Sequence, residues 1–129
     1  MKVMVVHSDP LIVAYLAAIL SEFKCDVVSA TPRLEDAKRE AEAAHPEMAF
    51  LDAALVDGNK GYRLAVHLAA KHGTYVIMMA HDLNDSDITR FDGTFHWIKM
   101  PYSEDEITEE IREALRTRFR AASSSISTK

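Results

Sequence analysis

The stretch Met48-Ala49-Phe50-Leu51-Asp52 decides the fold prediction, because it is a short apolar run that ends on a carboxylate. Pro46 precedes the run, and the turn-like residues 56–59 (Val-Asp-Gly-Asn) follow it. A run this short, with turn signals on both sides, predicts a buried central strand. The carboxyl ends of the strands form the ligand crevice in an open parallel sheet, so Asp52 is predicted to stand where such a fold binds ligands or reacts.

The bulk composition is typical of one soluble globular domain. The chain has 129 residues, of which 48% are hydrophobic and 27% charged, enough for a hydrophobic core. Its net charge of -5 argues against direct contact with nucleic acid. No apolar run is long enough to span a membrane, and the N-terminal apolar stretch is too short for a signal peptide. The single Cys25 fits a reducing compartment, so a cytoplasmic location is expected.

Short apolar runs alternate with segments of helical periodicity along the rest of the chain. Further strands are predicted near residues 3–6, 26–30, 74–80 and 95–99. Helices are predicted over residues 11–23, 32–44 and 62–71, with a short one near 86–91 and a last one from about residue 104. Five strands alternating with five helices predict an α/β fold with a doubly wound parallel sheet.

The predicted domain covers residues 1–119. Ser103 and Glu106 form a capping box at the start of the last helix. Residues 120–129 are serine-rich and are interpreted as a flexible tail or the start of a linker.

Over residues 1–119 the chain resembles the receiver domain of response regulators in two-component signalling. The resemblance rests on Asp-Pro-Leu-Ile at residues 9–12, Phe-Leu-Asp ending at Asp52, the Asp-Gly turn followed by Gly61, and Met100-Pro101-Tyr102. It implies a flavodoxin-like fold with strand order 2-1-3-4-5. It also implies a role in phosphorelay signal transduction without enzymatic turnover.

In that family the aspartate of strand three accepts a phosphoryl group from a histidine kinase with the help of Mg²⁺. The resemblance makes Asp52 the candidate phospho-acceptor. The family's other groups are replaced: its acidic pair falls on His7 and Ser8, its strand-four hydroxyl on Ala80, and its lysine on Met100. The resemblance therefore implies a degenerate receiver in which Mg²⁺ binding is weak or absent.

Strand five carries two further residues of interest. Lys99 stands one residue before the family's lysine position, so it points to the opposite face of a regular strand and reaches the site only through a local bulge. The family's switch aromatic falls on Trp97. With Ala80 in place of the hydroxyl residue, the ring has room to pack inward permanently; the alternative is that it only covers the sheet.

The crevice at the strand ends is expected to be lined by His7, Asp9, Asp52 and His81. A protonated His7 beside Asp52 would form a pair that responds to pH near neutrality. Histidine and carboxylate sets also bind transition metals, but no tight ligand spacing is present and no metal site is predicted. The histidines on helix ends and faces are interpreted as having no specific role; these are His45, His67 and His72.

We therefore expect an atypical receiver domain that is impaired in Mg²⁺-dependent phosphorylation and acts through protein–protein contacts. The expected contact surface runs from strand four to the last helix and includes Ile107 within residues 104–118. Its partners would be a histidine kinase or phosphotransfer protein, an effector or output domain, or a second copy of the chain, with no nucleic acid, membrane or cofactor.

Two alternatives stay open. The first is a conventional receiver that is phosphorylated on Asp52. The second is a small ligand binder or enzyme that uses the crevice around His7, Asp52 and His81. Against the second stands the absence of a Gly-rich phosphate loop and of a catalytic Ser/His/Asp pattern. The sequence names neither the kinase nor the effector, and it leaves the oligomeric state open.

Overall fold

The computed structural model describes residues 1–53, 61–80 and 95–127, with side chains described up to residue 118 of the last helix. In chain order these ranges form β1 (Lys2–Val6), α1 (Pro10–Glu22), β2 (Asp26–Thr31), α2 (Leu34–Ala44), β3 (Met48–Asp52), α3 (Gly61–His72), β4 (Tyr75–Ala80), β5 (His96–Lys99) and α4 (Glu104–Ser127). The predicted short helix near residues 86–91 lies outside the described residues.

The five strands form one parallel sheet in the order β2-β1-β3-β4-β5, which confirms the predicted fold. The strand that ends at Asp52 lies at its centre, and all five of its residues are buried. A parallel sheet covered on both faces favours continuous apolar runs, which explains why β3 and β4 show no polar alternation. The carboxyl ends of all strands lie along one edge.

Successive side chains along each strand alternate between two hydrophobic cores. On β3, Phe50 packs with the buried residues of α1 and α4, whereas Leu51 packs with those of α2 and α3. We call these two sides of the sheet the α1/α4 face and the α2/α3 face. A residue's position in its strand therefore fixes which pair of helices it meets.

The helix starts follow the local sequence. Asp9 caps α1, because its Oδ1 accepts a hydrogen bond of 2.9 Å from the Leu11 N–H, and proline follows it at the first helical position. The predicted capping box at α4 is formed: the Ser103 Oγ accepts a hydrogen bond from the Glu106 N–H at 3.1 Å.

Gly61 starts α3 directly against the end of β3. A Cβ at this position would lie 2.9 Å from the backbone oxygen of Asp52, so only glycine fits without a shift of the backbone. The close approach places the first turn of α3 beside the candidate phospho-acceptor.

One expectation about the last helix was wrong. Ile107, expected on a contact surface, is fully buried in the core of the α1/α4 face, because it lies on the same side of the helix as Ile111. The described helix continues to Ser127, past the predicted domain boundary at residue 119, and the assignment of residues 120–129 to a tail or linker stays a prediction. Alanines favour a helix there, serines oppose it only weakly, and no glycine or proline stops it. Among the described helices, none has the length and apolar character needed to cross a membrane.

Candidate functional site

The candidate site lies at the carboxyl edge of the sheet, where β1 and β3 end side by side. These strands pair in register, with Val6 opposite Leu51 on the α2/α3 face. The residues that follow them, His7 and Asp52, therefore meet on the α1/α4 face. Both residues are buried, with 4% and 2% of their surfaces exposed. The His7 Nε2 lies 3.8 Å from the Asp52 Oδ2. The structure thus brings together the two crevice residues on which the predictions centred.

The hydrogen bonding of His7 indicates which of its nitrogens carries the proton. Its Nδ1 lies 3.0 Å from the backbone N–H of Asp9, which donates to it. A backbone N–H can only donate, so Nδ1 must hold its lone pair and the ring proton sits on Nε2, on the side of Asp52. This arrangement favours a neutral imidazole. The protonated His7 considered from the sequence would have to give up the bond to Asp9.

The residues next to His7 do not replace the negative charge that the acidic pair of a receiver would supply at this position. Ser8 is exposed, and the exposed Asp9 uses its carboxylate to cap α1. Where a receiver has two acids, this chain therefore offers an imidazole and a hydroxyl. Mg²⁺ requires a nearly octahedral set of oxygen ligands and is usually held by carboxylates. The residues present at the two positions do not fit a Mg²⁺ site.

The end of β4 closes the site on its other side. Ala80 is buried and carries no hydroxyl. Its backbone oxygen accepts hydrogen bonds from the Met100 N–H at 2.9 Å and from the Tyr102 hydroxyl at 3.3 Å. The Met100 side chain is 37% exposed. A thioether thus stands where a receiver has its lysine, and the chain beyond β5 is tied to the end of β4.

Tyr102 is a site residue to which the sequence assigned no role beyond its place in the Met-Pro-Tyr motif. Burial and, secondly, the negative charge of Asp52 raise the pKa of Tyr102 to about 12. The hydroxyl donates to the Ala80 oxygen, at the same carboxyl edge of the sheet as Asp52. The sequence could have indicated this role through position alone: Tyr102 stands shortly after the end of β5, and that end lies along the same edge of the sheet as Asp52.

Lys99 does not compensate for the lost lysine through a bulge. The ladder between β4 and β5 is regular over its described length, with Ala80 opposite Lys99 and Met79 opposite Ile98. Met79 and Ile98 share the α1/α4 face with Asp52, so Lys99 belongs to the other face, where its side chain is exposed.

Trp97 packs inward on the α2/α3 face. Its half-buried ring contacts the core there, and its centroid lies 6.0 Å from that of Tyr62 at a tilt of 54°. The Trp97 Nε1 is buried and has no hydrogen-bond partner within the described part of the chain. The ring therefore joins β5 to the first turn of α3, which begins beside Asp52. His81, expected to line the crevice, lies outside the described residues.

The chain is similar to known proteins in its structure and not in its sequence. No protein-family model matches the chain, and no curated protein matches it either. Several solved structures of receiver domains match its fold. The chain has the fold of a response-regulator receiver domain.

Three structures illustrate this likeness to the receiver fold. The signal receiver domain of a modulated diguanylate cyclase from Desulfovibrio desulfuricans is 23% identical, with a TM-score of 0.81 over 93% of this chain and 97% of that one. The receiver domain of the response regulator PhyR from Erythrobacter litoralis is 18% identical, with a TM-score of 0.77 over 88% of each chain. The anti-anti-sigma factor PhyR from Bartonella quintana is 17% identical, with a TM-score of 0.79; the match covers 96% of this chain but only 51% of that one.

Proposed function

We propose that the chain is an atypical receiver domain in signal transduction, impaired in Mg²⁺-dependent phosphorylation and active through protein–protein contacts. The observation that carries the proposal is the buried contact of Asp52 with His7, whose Nε2 lies 3.8 Å from the carboxylate and whose Nδ1 accepts a hydrogen bond from the Asp9 N–H. A receiver has an acid at this position. The acceptor carboxylate is retained, but His7, which follows β1 and lies beside it, supplies no negative charge.

Phosphoryl transfer depends on positioning and on neutralising the charge that builds on the phosphoryl oxygens. In a receiver Mg²⁺ supplies much of that neutralisation, and the residues here do not fit the ion. Ala80 offers no hydroxyl to hydrogen-bond a phosphoryl group on Asp52, and Lys99 lies on the opposite face of the sheet from Asp52. These losses act on the same step, so restoring one group alone would leave the reaction slow.

The contact surface we propose is the exposed edge formed by β5 and the start of α4. Met100 and His96 are exposed on it, and the first turn of α4 adds three exposed acids, Glu104, Asp105 and Glu106. An acidic patch beside an exposed apolar side chain favours a partner with basic groups around an apolar centre. One of the similar structures is an anti-anti-sigma factor, which supports protein contact as a mode of action for this fold. A histidine kinase, an effector or output domain, and a second copy of the chain are the partners we propose to test.

Mg²⁺ binding tests the proposal directly. Isothermal titration calorimetry of the wild-type chain with MgCl₂ should show no saturable heat. The double variant His7→Asp/Ser8→Asp restores the acidic pair and should bind one Mg²⁺ per chain, while the matched variant Ala14→Asp, which adds an acid at an exposed position of α1, should not. Saturable binding of Mg²⁺ to the wild-type chain that Asp52→Asn removes would overturn the proposal and restore a conventional receiver phosphorylated on Asp52.

A further inference from the structure

Three metal-ligating side chains meet where α2 and α3 end. Glu42 comes from α2, and His67 and His72 come from α3. The Glu42 Oε1 lies 3.4 Å from the His67 Nε2 and 3.6 Å from the His72 Nε2, and the three ligand atoms all lie within 4.8 Å of one another. Helices between parallel strands run back across the sheet, so this cluster lies at the amino edge, opposite Asp52. It belongs to neither the crevice nor the contact surface proposed above.

The two imidazoles are placed as ligands rather than as ordinary surface histidines. The His72 side chain is only 4% exposed and that of His67 is 29% exposed. The Nε2 atoms of both rings are buried and make no hydrogen bond within the described part of the chain. The two imidazole nitrogens converge on one carboxylate oxygen, and imidazole nitrogens and carboxylate oxygens are ligands that suit a divalent transition metal ion.

A third histidine orients the ring of His72. The His72 Nδ1 lies 3.4 Å from the His45 Nδ1, and the rings meet edge to face with centroids 5.3 Å apart. When the His72 Nδ1 donates to His45, the His72 Nε2 keeps a lone pair directed at the Glu42 side. Metal-binding histidines are regularly held in this way by a partner on their other nitrogen.

We propose that Glu42, His67 and His72 form a binding site for a divalent transition metal ion of the Zn²⁺ class, which joins α2 to α3. Zinc bonds of about 2.0–2.1 Å in a tetrahedral site separate the ligand atoms by roughly 3.4 Å, close to the two measured separations from Glu42. Two imidazoles and one carboxylate are ligands that suit zinc, and the fourth position is left for water. His45 is a positioning residue.

Lys71 is the competitor for this site. Its Nζ donates a hydrogen bond of 2.6 Å to the Glu42 Oε1, and this bond lowers the pKa of the Glu42 carboxyl. The ammonium group neutralises the carboxylate when no ion is bound, and it must release Glu42 when an ion binds. Removing the charge at Lys71 should therefore strengthen metal binding, whereas removing a ligand should weaken it.

Titration of the full chain with Zn²⁺ by isothermal calorimetry near pH 7.5 tests the site. The wild-type chain should bind one equivalent. His45→Ala should weaken binding about 10- to 100-fold, as expected for a group that orients a ligand, and His67→Ala and His72→Ala should weaken it at least as much. Lys71→Gln should tighten binding, and His96→Ala, which removes a distant histidine, should leave the affinity unchanged.

A second readout separates ligand loss from a damaged fold. Bound Zn²⁺ should raise the melting temperature of the wild-type chain and of Lys71→Gln, but not that of His67→Ala, whose partly exposed side chain lies outside the two hydrophobic cores. The proposal is overturned by an absence of binding to the wild-type chain, by an affinity that His67→Ala leaves unchanged, or by equal losses in His67→Ala and His96→Ala. None of these outcomes depends on phosphorylation of Asp52.

Discussion

The Nε2 of His7 lies 3.8 Å from the Oδ2 of Asp52, and the Nδ1 of the same ring accepts a hydrogen bond from the backbone N–H of Asp9. The two contacts together give His7 the form of a neutral imidazole that presents its proton to the carboxylate. A neutral imidazole beside the candidate acceptor adds no negative charge to the site, whereas an acidic neighbour would.

The protonation of His7 is the first prediction. At pH 7 the ring should be the neutral tautomer with hydrogen on Nε2, because the N–H of Asp9 holds Nδ1 unprotonated. Long-range ¹H–¹⁵N correlation spectra report the state of both nitrogens. Asp52→Asn serves as the control and should leave the tautomer unchanged. An imidazolium in the wild-type chain that becomes neutral in Asp52→Asn would mean that the charge of Asp52, rather than Asp9, decides the state of the ring.

Gly61→Ala should destabilise the chain by about 1–3 kcal/mol, because the added methyl group would lie 2.9 Å from the backbone oxygen of Asp52 and force α3 away from β3. Urea unfolding measures the loss. Gly73→Asn is the matched variant: its φ of +64° favours glycine or asparagine, and no atom lies within 4 Å of the added position. An equal or smaller loss for Gly61→Ala would refute the close packing of α3 on the acceptor strand.

Tyr102→Phe should cost about 1 kcal/mol of unfolding free energy, because it removes the hydroxyl that donates to the Ala80 oxygen at 3.3 Å while keeping the ring in the core. The comparison is Tyr15→Phe, whose ring is 38% exposed on α1. Equal stability of Tyr102→Phe and the wild-type chain in thermal and urea unfolding would show that the hydroxyl contributes nothing to holding the chain beyond β5.

Glu110 gives the stability a pH dependence. Burial, followed by the charges of its helix neighbours Glu113 and Glu109, raises the pKa of Glu110 above its usual 4.5, although His96 acts in the opposite direction. The folded chain then binds this proton more tightly than the unfolded chain. The carboxyl group therefore lowers stability progressively as pH rises from about 4.5 through the raised pKa.

Glu110→Gln should remove this effect. The variant should be more stable than the wild-type chain at pH 7 by about 1 kcal/mol, since a buried, poorly paired carboxylate is replaced by a neutral amide. The gain should vanish below pH 4. Glu109→Gln, at an exposed neighbouring position, should change stability little at either pH. A loss of stability in Glu110→Gln at pH 7 would show that the ion pair with His96 outweighs the burial of the charge.

The sequence was sufficient to predict the sheet because its signals are local. Short apolar runs mark strands that are buried on both faces, and Asp9 and Ser103 mark helix starts through bonds to backbone groups two or three residues away. The end of α4 was harder to predict. Alanine favours a helix and serine opposes it only weakly, so the residues after Phe119 carry no strong local signal for where the helix ends.

The parts of the site that sequence reasoning missed depend on distant residues. The state of His7 depends on a hydrogen bond to the backbone N–H of Asp9, which is available only once the chain turns into α1. Glu42 and His72 are far apart in sequence and meet only because α2 and α3 pack side by side. The same holds for Tyr102, whose contact with Ala80 follows from the pairing of β4 and β5.

We propose that Asp52 is not an efficient, Mg²⁺-dependent phospho-acceptor. Incubation of the chain with acetyl phosphate and MgCl₂, followed by intact mass spectrometry, tests it most directly, with Asp52→Asn and a reaction containing a chelator as controls. We expect no phosphoryl adduct that depends on Mg²⁺ and on Asp52. An adduct present with Mg²⁺, lost on chelation and absent from Asp52→Asn would contradict the account and make the chain an ordinary phosphorylation switch.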